Sequence, residues 1–244
     1  MPTAFFDTEL CRLRESLTQM GGAVERMLDT ALSALRRGDA ALADQAIALD
    51  KEINDYDNRI TSKTILLIAT NQPVAGDLRF LASSLKMAGE LERIGDLSAN
   101  LARRAKGLAR ANPEAALPED VNELSFMARS MLSGALDAFA NRGLEQARRV
   151  LEMDDAVDDL NREVRRRMVE AVAEDGPLIH WALEIINTAA HLERLADHAT
   201  NLAEEVIYIY SGRNVRHCGP ASVAIPAAEA LTEPSHSDRE DLED

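Results

Sequence analysis

A six-residue stretch decides the fold, because it occurs twice. Residues 91–96 read LERIGD, and residues 192–197 read LERLAD, at an offset of 101 positions. An Asn-Leu-Ala triplet follows each copy at the same distance, at residues 100–102 and 201–203. Self-similarity at a fixed spacing indicates a duplicated structural unit. We therefore predict that the chain consists of two similar halves.

The apolar residues on either side of these stretches recur at helical spacing. In the first half, one stripe advances by alternating steps of three and four: Leu10, Leu13, Leu17, Met20, Val24, Met27 and Ala31. Such a stripe is typical of a helix that packs at a shallow angle in a bundle. Turn residues then divide each half into three segments, at 38–39 and 71–73 in the first half and at 142–143 and 176–177 in the second. The pattern predicts an all-α fold of two tandem three-helix bundles, six helices in total.

Upstream of the repeated stretch the two halves match at an offset of 104, as Ile53 and Val157 illustrate. We predict a first bundle over residues 1–113 and a second over residues 114–217. Residues 218–244 are predicted to form a disordered acidic tail. The last 26 residues carry seven acids and one arginine, a composition that favours disorder.

Composition excludes several classes of protein. The 244 residues carry 27 basic and 42 acidic side chains, a net charge of −15, which argues against binding nucleic acid. No apolar run approaches the roughly 20 residues of a membrane span, and the N-terminus does not resemble a secretory signal. Two cysteines form neither a disulfide framework nor a zinc motif. We expect a cytoplasmic protein without membrane insertion.

Carboxylates spaced four residues apart are the most informative polar residues. Residues at i and i+4 share a helix face, and antiparallel helices joined by a short turn place residues equidistant from that turn at one level. In the second half this register brings two such pairs face to face, and in the first half it does the same with Asn54 in place of one acid. The acids predicted to bind metal are Asp50, Glu92, Asp96, Asp154, Asp158, Glu193 and Asp197.

Clustered carboxylates repel one another unless a cation joins them, and hard divalent ions prefer oxygen ligands. Asn54 stands where an acid completes the pattern, so the second site is expected to bind more strongly than the first. Asn100 and Asn201 lie four residues further along and could extend the acidic face, with His198 a weaker candidate.

Two other interpretations remain open from the residues alone. The acids could be solvated helix edges, paired with Arg93 and Arg194, on a helical scaffold that binds no metal. The carboxylates could instead serve a metal-dependent hydrolase that activates water. No serine or cysteine has an evident base partner in the sequence.

The two copies, Glu92 to Ala102 and Glu193 to Glu204, resemble the paired signatures of the PhoU family of phosphate-signalling regulators. The resemblance covers about residues 5–217. It implies two similar three-helix bundles that hold multinuclear iron or zinc clusters. It also implies a non-enzymatic role in damping phosphate uptake and phosphate-starvation signalling. The implied partners are the ATPase of the phosphate ABC transporter and a phosphate-sensing histidine kinase, with a homodimer as the expected assembly.

Overall fold

The computed structural model describes residues 4–111 and 116–215, and this part of the chain contains helices and no strands. A single 3₁₀ turn, Gly176–Leu178, precedes the last helix. The six helices are α1 (Ala4–Arg37), α2 (Ala40–Asn71), α3 (Ala75–Ala111), α4 (Glu119–Asn141), α5 (Leu144–Glu174) and α6 (Ile179–Ser211). The predicted all-α class and six-helix organisation are confirmed.

The helices end where the sequence predicts. Asp39 caps α2, with its carboxylate accepting hydrogen bonds from the backbone N–H groups of Ala41 and Leu42 at 2.8 and 3.1 Å. Gln72 and Arg142 end α2 and α4 in the left-handed conformation, with φ of 47° and 56°. Pro73 follows the first of these and cannot continue the helix.

Each half packs as a three-helix bundle. Helices α1, α2 and α3 contact one another in the first half, and α4, α5 and α6 do so in the second. The predicted α1 stripe is buried from Leu13 through Ala31. Below, the α2–α3 pair is called the first hairpin and the α5–α6 pair the second hairpin.

The two bundles join through α3 against α6 and through α1 against α4. On the first of these contacts, Lys86 Nζ lies 3.1 Å from Glu205 Oε1, and Arg104 Nη1 lies 3.1 Å from Glu184 Oε2. These pairs show that α3 and α6 run antiparallel. The buried apolar side chains of both bundles form one cluster, so the halves share a core.

The predicted tail, residues 218–244, lies outside the described residues, as does the predicted boundary between residues 113 and 114. Among the helices that the structure describes, none combines the length and apolarity needed to cross a bilayer.

Candidate metal centre

Three carboxylates meet on the edge of the second hairpin. Asp158 comes from α5, and Glu193 and Asp197 come from successive turns of α6. One oxygen of each lies within 4.8 Å of an oxygen of the other two. The buried neighbours Val157 and Ala196 hold these turns against the core. We call Asp158, Glu193 and Asp197 the acid cluster; its members face one another as the predicted register requires.

Burial and mutual repulsion raise the pKa values of two members of the acid cluster. Burial, followed by the charges of Glu193, Asp154 and Asp158, raises the pKa of Asp197 to about 6. Burial and the nearby Asp158 raise the pKa of Glu193, whereas Arg194 and Arg165 act in the opposite direction. A bound cation would remove this repulsion.

Asp154, the fourth acid predicted here, lies beside the cluster and not within it. Its Oδ1 accepts a hydrogen bond from the Thr200 hydroxyl at 3.1 Å. Burial raises the pKa of Asp154, and its charge in turn raises the pKa of both Glu193 and Asp197. Asp154 and Glu193 therefore share one side of the bundle.

The first hairpin places its acids more loosely. Within the described residues, Asp50, Glu92 and Asp96 form no group as close as the acid cluster. The Asn54 amide donates to Asp50 at 3.2 Å. Arg93 lies 3.6 Å from both Glu92 and Asp96, so here arginine pairing neutralises acids, whereas Arg194 makes no ion pair in the part of the chain described.

Asp57 is a site residue that the sequence analysis missed. Its pKa is raised by burial, and its charge raises the pKa of Glu92, so it faces the acids of the first hairpin. The spacing in the sequence could have identified it, because Asp57 lies seven residues after Asp50 and therefore on the same helix face. At the offset of 104, Asp57 corresponds to Asn161, and Asn54 corresponds to Asp158. Each hairpin thus carries four acids and one asparagine, and the first is not one charge short.

Asn100, Asn201 and His198, the residues predicted to extend the acidic face, each have another partner, although the charge of His198 also lowers the pKa of Asp197. Asn201 donates to Glu90 at 3.3 Å, and His198 Nδ1 lies 2.6 Å from the same carboxylate. Asn100 accepts a hydrogen bond from Arg103 at 2.7 Å. Glu90 belongs to α3, so Asn201 and His198 serve the contact between the bundles.

The acid cluster fits a divalent ion or iron. All its donors are carboxylate oxygens, which hard cations prefer and which zinc also accepts. A bound ion would join α5, through Asp158, to α6, through Glu193 and Asp197. The donor set therefore suits the metals that the family resemblance implies.

Comparison with known proteins gives a consistent picture. The PhoU domain family matches residues 17–105 and again residues 121–206. The phosphate-specific transport system accessory protein PhoU homolog of Pseudomonas putida is 35% identical over 240 residues, covering 96% of this chain and 94% of the relative. Its Pseudomonas aeruginosa counterpart is 37% identical over 88% of each chain.

Two solved structures agree with the fold. The crystal structure of PhoU from Pseudomonas aeruginosa superimposes with a TM-score of 0.81 at 36% identity, covering 85% of this chain and 100% of that one. The phosphate transport system regulatory protein PhoU from Streptococcus pneumoniae gives a TM-score of 0.79 at 28% identity, over 86% and 99% of the two chains. This chain, with its duplicated signature and paired bundles, belongs to the PhoU domain family.

Proposed function

We propose that this protein is a negative regulator of phosphate uptake and phosphate-starvation signalling. The proposal is supported by relatives that span nearly the whole chain and are named as accessory proteins of phosphate-specific transport systems. It acts by binding other proteins and not by catalysis. Its expected partners are the ATPase of the phosphate ABC transporter and a phosphate-sensing histidine kinase, which it meets in the cytoplasm, with a homodimer as its assembly.

The metal-binding part of this proposal rests on the acid cluster. Three carboxylates from two helices converge within 4.8 Å, and this arrangement costs free energy unless a cation neutralises it. Asp158, Glu193 and Asp197 would hold an iron or zinc ion, with Asp154 beside them as a further ligand of a multinuclear cluster. The ion would fix α5 against α6 and change the charge of the surface presented to a partner.

In the first hairpin, Asp50, Glu92 and Asp96 form the second proposed site, together with Asp57. Arg93 competes with metal there because it pairs with two of the acids. The second hairpin should therefore bind metal more strongly, owing to its free carboxylates and not to the number of acids.

Elemental analysis of protein purified without chelator tests the metal site. The wild type should retain metal, and Asp158→Asn combined with Glu193→Gln should remove most of it. Asp55→Asn is the matched control, because Asp55 is an exposed acid on α2 outside both proposed sites. Wild-type protein without bound metal would contradict the metal site, and equal metal content in all three proteins would contradict the assigned ligands.

The regulatory role has a separate test. Deleting the gene should leave phosphate-responsive promoters active in phosphate-rich medium, and the wild-type chain should restore repression. A deletion strain with normal repression would contradict the proposal. Metal-dependent phosphoester turnover that disappears in Glu193→Ala would favour the hydrolase interpretation instead.

A further inference from the structure

A cavity of about 610 Å³ opens beside the acid cluster along α5. Asp158 and Glu193 line it and also belong to the acid cluster. Its remaining polar lining includes three arginines, Arg162, Arg165 and Arg166. A third acid, Glu170, also lines it, so the lining combines three carboxylates, two of them shared with the proposed metal centre, with three arginines.

The three arginines differ in how they are paired. Arg162 pairs with Asp159 at 2.7 Å, and Arg166 pairs with Glu163 and Glu170, each at 2.6 Å. Arg165 makes no hydrogen bond or ion pair with any residue that the structure describes. Its guanidinium lines the cavity and is therefore available to a ligand there.

An amide without a protein partner also lines the cavity. Asn161 is only 7% exposed as a whole residue. Its side chain forms no hydrogen bond within residues 4–111 and 116–215. Its polar atoms are therefore available to a polar group bound in the cavity.

The duplication provides an internal comparison. At the offset of 104, the arginines at 162, 165 and 166 correspond to Asn58, Thr61 and Ser62. The first hairpin thus carries the same number of site acids but none of the three cavity arginines. The three arginines are a specific addition to the second hairpin and not a consequence of the repeat.

We infer that this cavity binds a tetrahedral oxyanion of the phosphate type, held by Arg165 and Asn161 and lying next to the acid cluster. Arginine presents a planar fork of donors that matches phosphate oxygens. The inference rests on the proposed metal centre, because Asp158 and Glu193 would repel an anion unless a cation neutralised them. The cavity can admit free phosphate or the phosphoryl group of a small metabolite.

Equilibrium dialysis of the full-length protein tests this inference, with inorganic phosphate in one arm and glycerol 3-phosphate in the other. Mn²⁺ serves as the loading ion, and metal content is measured in the same samples. Metal-loaded wild type should bind at least one compound, whereas chelator-treated protein should bind neither. Arg165→Gln should weaken binding about tenfold or more, since it removes a charge-assisted hydrogen bond, and should leave metal content unchanged.

Arg149→Gln is the matched control, because Arg149 is an exposed arginine of α5 outside the cavity, and this variant should bind as the wild type does. Metal-loaded wild type that binds neither compound would overturn the inference and leave the metal centre standing. Wild-type affinity in Arg165→Gln, or equal binding with and without metal, would also overturn it. Protein that takes up no metal would overturn the proposed metal centre and this inference with it, and the metal assay distinguishes that failure from the others.

Discussion

At the scale of single residues, the pKa of Asp197 reflects both its burial and the repulsion from the other acids of the cluster. The pKa of this carboxyl rises from 3.8 to about 6, chiefly through burial and then through the charge of Glu193. The folded protein therefore holds the Asp197 proton more tightly than the unfolded chain does. This contribution to stability is complete below pH 4 and is lost as the pH rises through 6.

Metal-free Asp197→Asn should accordingly be more stable than metal-free wild type at pH 7, by about 1 kcal/mol after allowance for solvent screening of an exposed side chain. The difference should shrink towards pH 4, where both side chains are neutral. Chemical denaturation at several pH values measures this effect. Asp96→Asn, the equivalent change in the first hairpin, is the control, because Asp96 already pairs with Arg93. A pH-independent difference for Asp197→Asn would contradict the electrostatic explanation.

At the scale of helices, the two halves differ at equivalent caps. Asp39 caps α2 with two hydrogen bonds, whereas Gly143 occupies the same position before α5 without a side-chain cap. The φ of Gly143 is −87°, close to the −90° of Asp39, and a Cβ there would meet only ordinary contacts at 3.4 Å or more. The glycine is therefore not required by the backbone.

Asp39→Ala should lower the free energy of unfolding by about 1 kcal/mol, because two N–H groups of α2 lose their acceptor. Gly143→Asp should raise it by about 0.3 kcal/mol, the small gain expected when a side chain replaces a glycine cap. Thermal denaturation followed by circular dichroism measures both changes. Shifts in the same direction would show that the two caps are not equivalent.

The helices could be predicted from sequence more completely than the contacts that their side chains make. Predicted ends fall within about two residues of the observed ones, because glycine, proline and Asp39 impose local conformations. The register inside each hairpin also followed from counting residues to the turn. The partners of Asn201 and His198 could not be predicted in this way, because Glu90 reaches them across the contact between α3 and α6. Helical periodicity identifies buried faces but not which helices of the two bundles meet.

At the scale of the whole molecule, a metal ion at the acid cluster would link α5 to α6 and stabilise the folded state by mass action. Free metal at about 100 times its dissociation constant adds about 2.7 kcal/mol. For a chain of this size, chelation should then lower the melting temperature by about 5–10 °C. Asp158→Asn with Glu193→Gln should show a much smaller change with chelator, because only the weaker site of the first hairpin then remains. An unchanged wild-type melting temperature would contradict a structural role for metal.

The contact between the bundles depends on a nearly buried charge. Glu205 of α6 is 2% exposed, and Lys86 of α3 approaches its carboxylate from the other bundle. Lys86→Met keeps the apolar length of the side chain but removes the positive charge, so the buried carboxylate loses its ion pair with Lys86. We expect this variant to lose about 2 kcal/mol, less than the 3–5 typical of a fully buried pair, because Lys86 is half exposed.

Adding Glu205→Gln to Lys86→Met should restore part of this loss, because the side chain at position 205 then carries no charge that needs Lys86. A double-mutant cycle by urea denaturation measures the coupling. If instead the two losses add, Lys86 contributes through packing against Tyr208, whose ring it approaches at 5.8 Å, and not through Glu205. Coupling between these residues would show that the ion pair between α3 and α6 stabilises the contact between the two bundles.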